Sequence, residues 1–228
     1  MTPPWRVERS TGAAGDFHAR PLPGPGPGDG ERVVRVLDVD RGAVVLGSTQ
    51  PESDVDQSAV TSAGFDVVRR RSGGGAVLLE PGGTMWVDVD LPAGDPLWED
   101  DVAEAFLWLG DAWAGAWAAL GVDARVHRGR LVSTRWSRLV CFAGTGPGEV
   151  LVGGRKSVGI AQRRTRHAAR FQCAALRRWE PGRLLDLLAL TPEERSQAAE
   201  DLGPMAAGVD RPADDVVDAL LSVLPGRH

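Results

Sequence analysis

Three short segments of the chain carry residue types that can do chemistry. The first is Arg69-Arg70-Arg71-Ser72-Gly73-Gly74-Gly75-Ala76-Val77. Consecutive glycines let backbone N–H groups approach a ligand with no Cβ in the way. The flanking arginines offer charge to a phosphate or a carboxylate. The same composition also suits a Gly-rich strand connection with solvated arginines. It is not a phosphate loop of the Lys-Ser/Thr type, because no lysine comes after it, and no helix is signalled there, as a dinucleotide fingerprint requires. The second segment is Gly153-Gly154-Arg155-Lys156-Ser157-Val158-Gly159-Ile160-Ala161-Gln162. The chain holds 26 Lys and Arg residues, yet Lys156 is its sole lysine. Lysine and arginine differ in charge shape and in how readily they lose a proton. A compact ammonium aimed at a carbonyl or phosphate oxygen is one reason to keep a lysine there; a surface lysine is the alternative. The third segment is Val140-Cys141-Phe142. An apolar setting is more often that of a buried, inert thiol. A nucleophile needs a depressed pKa or a partner base, which Lys156 or a backbone dipole would supply if the fold brought them together. Cys173, within Phe171-Gln172-Cys173-Ala174-Ala175, reads as core. The histidines at 18, 127, 167 and 228 lack metal-ligand spacing, so no metal site is expected.

These segments need a frame. Residues 21–30 are Pro- and Gly-rich and cannot propagate a helix or a sheet ladder. The expected organisation is an N-terminal arm and linker over 1–30 and one folded domain over 31–228. Arg32–Val39 and Ala43–Leu46 read as strands joined in a hairpin at Asp40-Arg41-Gly42. A short helix from Pro51 to Ser62, closed by Gly64, precedes strands at Asp66–Arg71 and Ala76–Leu79. Met85–Leu91 alternates and predicts a strand with one wet face. Val102, Phe106, Leu109, Trp113, Trp117 and Leu120 form one helical stripe, predicting a helix over 99–120 with its Trp residues in the core. Strands return at Arg138–Ala143, Val150–Val152, Arg155–Ala161 and Ala169–Leu176, with Gly153-Gly154 as a two-residue turn. From Glu180 the pattern is helical: Leu184–Leu190, a start at Thr191-Pro192-Glu193-Glu194, and Pro212–Leu224. The expected class is α+β, a central mixed, mostly antiparallel sheet flanked by helices.

Composition narrows the function classes. A net charge of -5 gives no global reason to expect nucleic acid as the partner. Two cysteines imply no disulfide framework and suit a reducing compartment. There is no signal-peptide core and no apolar run near the roughly 20 residues of a membrane span. A cytoplasmic protein without a membrane partner is expected.

The first two segments together resemble a known family. Arg69–Val77 is similar to the Arg-Arg-x-Ser-Gly-Gly-Gly-Ala-Val motif of lipoate–protein ligases, and Gly154–Gln162 resembles their Gly-Arg-Lys-x-x-Gly-x-Ala-Gln segment, in the same order. The resemblance, over roughly residues 30–180, is to the biotin/lipoate ligase and octanoyltransferase superfamily, and implies its sheet-and-helix catalytic domain. In that family the Gly-rich loop lines the acyl or acyl-adenylate pocket and the lysine contacts the acyl carbonyl region. The resemblance thus implies substrate-binding roles for Arg70, Arg71, Ser72, Gly73, Gly74, Gly75 and Ala76. It extends them to Gly154, Gly159, Ala161 and Gln162, and implies a catalytic role for Lys156. Cys141-Phe142, with Glu149 downstream, is similar to the cysteine-dependent octanoyltransferases, in which that Cys accepts the acyl chain as a thioester and no ATP is needed. The stretch over 181–228 leaves little room for the classical ligase's extra C-terminal domain. The implied substrate is lipoate or octanoate with no permanently bound cofactor, ATP and Mg2+ entering only in the ligase branch. The implied partners are a lipoyl-carrier domain (glycine cleavage H protein or 2-oxoacid dehydrogenase E2) and acyl carrier protein. The chain departs from the ligase pattern at Leu79-Glu80, where His-Asp is usual, at Gly83, where Asn is usual, and at Gln172-Cys173-Ala174, where Gln-His-Gly or His-His-Gly is usual. A non-catalytic acyl-binding or regulatory protein on this scaffold is the reading from a different class; a biotin ligase lacks its Gly-Arg-Gly-Arg loop here.

Overall fold

The β-branched runs of the sequence become strands of two sheets in the computed structural model, which describes residues 5–24 and 30–226. In chain order the elements begin with β1 (Trp5–Gly12), α1 (Ala14–Ala19), β2 (Arg32–Val39), β3 (Ala43–Leu46) and α2 (Gln57–Ser62). They continue with β4 (Asp66–Arg69), β5 (Val77–Leu79), β6 (Thr84–Pro92), α3 (Leu107–Ala119) and β7 (Ala124–Val126). The chain ends with β8 (Val150–Val152), β9 (Arg155–Arg164), β10 (Ala168–Leu176), α4 (Pro181–Leu185), α5 (Pro192–Leu202) and α6 (Ala213–Val223). Among the described residues the main sheet has seven strands in the order β1-β2-β6-β10-β9-β8-β7, and a smaller sheet runs β4-β3-β5. β1 is parallel to β2 and β3 to β4; the other ladders are antiparallel. This is the mixed, mostly antiparallel α+β architecture expected.

Strand alternation sends the two faces of the main sheet to different neighbours. Val87 and Val89 of β6 and Phe171 and Cys173 of β10 pack against Trp113 and Trp117 of α3 and Leu220 of α6. Fully burying each large apolar side chain contributes about 1.5–3 kcal/mol, so this layer supplies most of the stabilisation. On the other face Trp86 packs with Phe17 of α1, Leu37 and Val39 of β2, and Val45 and Leu79 of the smaller sheet. The functional segments lie between the two sheets, on this second face.

Several local expectations change, each for a packing reason. β6 has no wet face, because Asp88 and Asp90 are fully buried. Asp90 accepts two bonds from Arg170, at 2.7 and 2.9 Å, and another from Arg35. Asp88 accepts from Trp86 Nε1 at 2.7 Å. Burial pushes the Asp88 carboxyl up to about 7, against the opposing pull of Arg170 and Trp86. The alternation marks two buried faces, one apolar and one ionic. Asp40-Arg41-Gly42 does not close a hairpin: β2 pairs with β1 and β6, while the wholly buried β3 finds partners on both sides in the smaller sheet.

The long helix starts at Leu107, after a 3-10 turn at Glu104–Phe106, and Val102 is 53% exposed. Asp101 caps that restart by accepting from the N–H groups of Ala103 and Glu104. Arg138–Ala143 is not a strand either. It makes one parallel bridge, Ala76 to Val140, then a 3-10 turn at Cys141–Ala143 whose last carbonyl is taken by Thr134 and Ser137 hydroxyls. α4 stops at Leu185, because Leu187 and Leu188 turn to pair with Asp56 and Val55. Residues 5–19 are not a free arm. β1 pairs with β2 along its whole length, and Phe17 is buried. Residues 25–29 of the Pro/Gly stretch lie outside the described residues.

One buried ion pair anchors this edge of the sheet. Arg32 donates to both Asp95 oxygens, at 2.7 and 2.8 Å, and to Pro225 O at 3.0 Å, with both charged side chains essentially solvent-free. Removing one partner strands the other charge. Asp95→Ala is expected to lose about 3–5 kcal/mol. The exposed Arg9–Asp214 pair makes the control, since Asp214→Ala should unfold close to wild type. Urea unfolding midpoints of the two variants check the contrast.

Candidate active site

The Gly-rich loop is shaped by its own arginine. Arg70 is buried, and its guanidinium donates to Gly73 O at 2.7 and 3.2 Å, Gly75 O at 2.8 Å and Val45 O at 3.1 Å. It gathers the loop carbonyls to one side. Gly74 sits at φ +95°, a conformation that side chains rarely adopt. Among the described residues the N–H groups of Gly73, Gly74 and Gly75 have no protein acceptor. Amides of that kind can meet an anion or a developing oxyanion.

The next contact brings in the thiol. A Cβ on Gly75 would lie 2.5 Å from Val140 N, so only glycine allows this approach. Ala76 N donates to Leu139 O at 2.8 Å and Cys141 N to Ala76 O at 3.0 Å. This ladder sets Cys141 Sγ 3.6 Å from where a Gly74 Cβ would stand.

Lys156 closes the arrangement from the opposite side. It lies at the start of β9, just after the Gly153-Gly154 turn, in which both residues have positive φ. Its side chain is buried, with Nζ 2.7 Å from Glu149 Oε1, 3.2 Å from Cys141 O and 3.1 Å from Gly144 O. All three ammonium protons are therefore engaged with protein. Nζ also lies 4.9 Å from the centre of the Phe142 ring. Burial alone would lower the Lys156 pKa, but the Glu149 carboxylate and the Cys141 side chain outweigh it and hold the pKa above its usual value. Glu149 is itself fixed by Gly146 N at 2.7 Å and Ile160 N at 3.3 Å.

A cleft of about 1030 Å³ joins these pieces. Of the residues singled out in the sequence, Arg70, Ser72, Gly73, Gly74, Cys141, Lys156, Gly159, Ala161 and Gln162 line it. Four do not. Gly75 and Ala76 are packed against residues 139–141, Arg71 is exposed to solvent, and Gly154 lies in the exposed turn. The structure adds His18, Trp86 and Gln172 to the lining. Gln172 Oε1 is 3.4 Å from Ser72 Oγ, and its Nε2 is 3.3 Å from His18 Nδ1. No local pattern points to His18; it reaches the cleft because β1 and α1 dock onto the sheet. Among the described residues no cluster of His, Cys, Asp and Glu could hold a metal ion, and no helix is long and apolar enough to cross a membrane.

The family model described as the lipoyl protein ligase A/B catalytic domain matches residues 26–210. The chain belongs to that family. Among curated proteins there is no match. Among solved structures this lipoyl-ligase-family chain is similar to the bipartite lipoate protein ligase of Thermoplasma acidophilum, with a TM-score of 0.73 and 21% identity over 97% of this chain and 82% of that one. It is also similar to lipoate-protein ligase A bound with ATP, with a TM-score of 0.66 and 21% identity over 96% and 83% of the two chains. The T. acidophilum protein Ta0514 with bound lipoic acid gives a TM-score of 0.62 and 23% identity over 83% and 69%. At such identities these likenesses establish the shared fold.

The close approach at Gly75 yields a direct test. Gly75→Ala should push the Cys141 turn away from the Gly-rich loop and cost about 1–3 kcal/mol of stability, as overpacking does. Urea unfolding midpoints read the loss, and an unchanged circular dichroism spectrum before unfolding shows that the fold is kept.

Proposed function

We propose that this protein transfers a lipoyl or octanoyl group to a lysine of a lipoyl-carrier domain by way of a thioester on Cys141. The supporting observation is that Cys141, the sole lysine and Gly73 and Gly74, whose amides have no acceptor among the described residues, line one cleft. The catalytic domain then comprises residues 31–228 together with residues 5–19, which pair with β2 and carry His18 to the cleft wall. A cytoplasmic setting keeps such a thiol reduced.

The chemistry has two halves. The Cys141 thiolate attacks the carbonyl carbon of an acyl thioester, such as acyl carrier protein presents. A C–S bond forms, the old C–S bond breaks, and the leaving thiolate takes a proton. The amine of the acceptor lysine then attacks the Cys141 thioester. An amide forms, Cys141 leaves as thiolate, and the amine gives up its proton to solvent. Negative charge develops on the acyl oxygen in both halves, where the N–H groups of Gly73 and Gly74, the loop glycines that line the cleft, supply donors. The bond from Lys156 to Cys141 O holds the turn that carries the nucleophile.

An acyl-adenylate route, with ATP and Mg2+, is the competing chemistry, and tight acyl binding without turnover is the reading from another class. The carrier is a 2-oxoacid dehydrogenase E2 lipoyl domain or a glycine cleavage H protein. The test is intact-mass analysis after mixing the protein with octanoyl acyl carrier protein, with and without ATP. The expected result is an ATP-independent octanoyl adduct on Cys141 that passes to a lipoyl domain. Cys141→Ser should abolish that transfer. Transfer that needs ATP and survives Cys141→Ser points to the ligase, and binding with no transfer under either condition to the binder.

A further inference from the structure

The cleft has a polar far end that a plain fatty-acid pocket has no use for. The acyl carbonyl belongs beside Cys141 and Lys156. The Lys156 stem leans over Gly159, with Cε 3.1 Å from where a Cβ there would be. From Gly159, β9 advances two residues to Ala161, about 7 Å along the strand. Ala161 pairs with Gln172 on β10, roughly 5 Å across the sheet. That path runs from the Lys156 stem to Gln172, whose side chain meets His18.

Those side chains form a directed chain of hydrogen bonds. Ser72 Oγ faces Gln172 Oε1 at 3.4 Å, and the Gln172 amide donates to His18 Nδ1 at 3.3 Å. With Nδ1 accepting, the proton of a neutral imidazole sits on Nε2. Among the described residues, Nε2–H has no protein acceptor. Burial, and then Arg70 and Arg170, lower the His18 pKa to about 4, so the ring is neutral at pH 7 and this polarity of the chain persists. The ring also packs on Trp86, centroid to centroid 4.5 Å, which makes an aromatic wall.

His18 is held firmly in this position. Phe17 is buried edge-on to Trp86 at 5.6 Å. Arg170, already paired with Asp90, donates to Arg20 O and Pro21 O at 3.1 Å each and pins the end of α1.

We propose that His18 is a specificity-determining residue that makes the cleft prefer an acyl tail ending in a dithiolane ring over one ending in a methyl group. A methyl group placed here takes water from Nε2–H and returns no acceptor. A ring sulfur is a weak acceptor and makes favourable contacts with aromatic edges, here those of Trp86 and His18. This inference rests on the acyl-transfer reading for its substrate pair.

The experiment measures both binding and transfer with the full chain. Lipoate and octanoate are titrated by calorimetry, and lipoyl and octanoyl thioester donors are compared for transfer to a lipoyl domain. Wild type should favour the lipoyl compound about tenfold. His18→Leu should erase the preference by weakening the lipoyl compound and leaving octanoate unchanged or tighter. His18→Gln, whose amide N–H reaches close to the Nε2 position, should keep part of it. A wild type that takes octanoate as well as lipoate overturns the proposal whatever the variants do, as does an undiminished preference in His18→Leu. A lipoate preference that depends on His18, in a protein that transfers neither acyl group, upholds the tail selection and sinks the transfer reading instead.

Discussion

A buried ammonium is costly unless every proton has a partner, and that constraint organises this site. Lys156 meets it with one carboxylate and two carbonyls. The carbonyls belong to Cys141 and Gly144, so satisfying the charge also fixes the turn that carries the thiol. The side chain passes over Gly159 and beside the Phe142 ring, a space shaped for a slim stem and a compact head. A planar guanidinium has five donors in a fixed fork and would not fit those three acceptors. This explains why a chain that otherwise uses only arginine has a lysine at 156. The Gly-rich loop constrains the same turn from the other side, through the Ala76 ladder and the bare Cα of Gly75. Two motifs some eighty residues apart in sequence thus grip one short turn.

The second layer of the site is ionic rather than apolar. Asp90 and Arg170 face each other across β6 and β10, and Arg170 extends its donors to the backbone just after α1. A buried bidentate pair is geometrically exacting. Here it ties the N-terminal segment to the central strands and so brings His18 to the cleft. The fold thereby links an ion pair, a docking helix and the lining of a pocket.

The features legible in the sequence were mostly local. The Gly153-Gly154 turn, the capping box at Thr191 and Glu194, and the apolar stripe of Leu109, Trp113 and Trp117 each carry their signal within a few residues. Of the two motifs, Arg70, Ser72, Gly73, Gly74, Lys156, Gly159, Ala161 and Gln162 share a cleft with Cys141, whereas Arg71 and Gly154 are exposed to solvent. The features that stayed hidden depend on distant partners. Asp88 and Asp90 alternate like a wet strand face, because pairing with Arg170 and Trp86 leaves no mark on the local pattern. Arg138–Ala143 looks like a strand by composition, yet Thr134 and Ser137 fold its end into a turn. His18 lies in a segment that reads as an arm, and only the parallel pairing of β1 with β2 delivers it to the cleft.

Acyl transfer in this cleft requires one convergence: the acyl head must lie between Lys156, Cys141 and the Gly-rich loop. A crystal structure of the protein with bound lipoate measures this directly. The carboxylate should lie within hydrogen-bond reach of Lys156 Nζ and a Gly-rich-loop N–H, beside Cys141 Sγ, with the tail running toward Gln172. Lipoate bound elsewhere, with Lys156 still fully engaged by Glu149 and the two carbonyls and no ligand atom near Cys141, would contradict it.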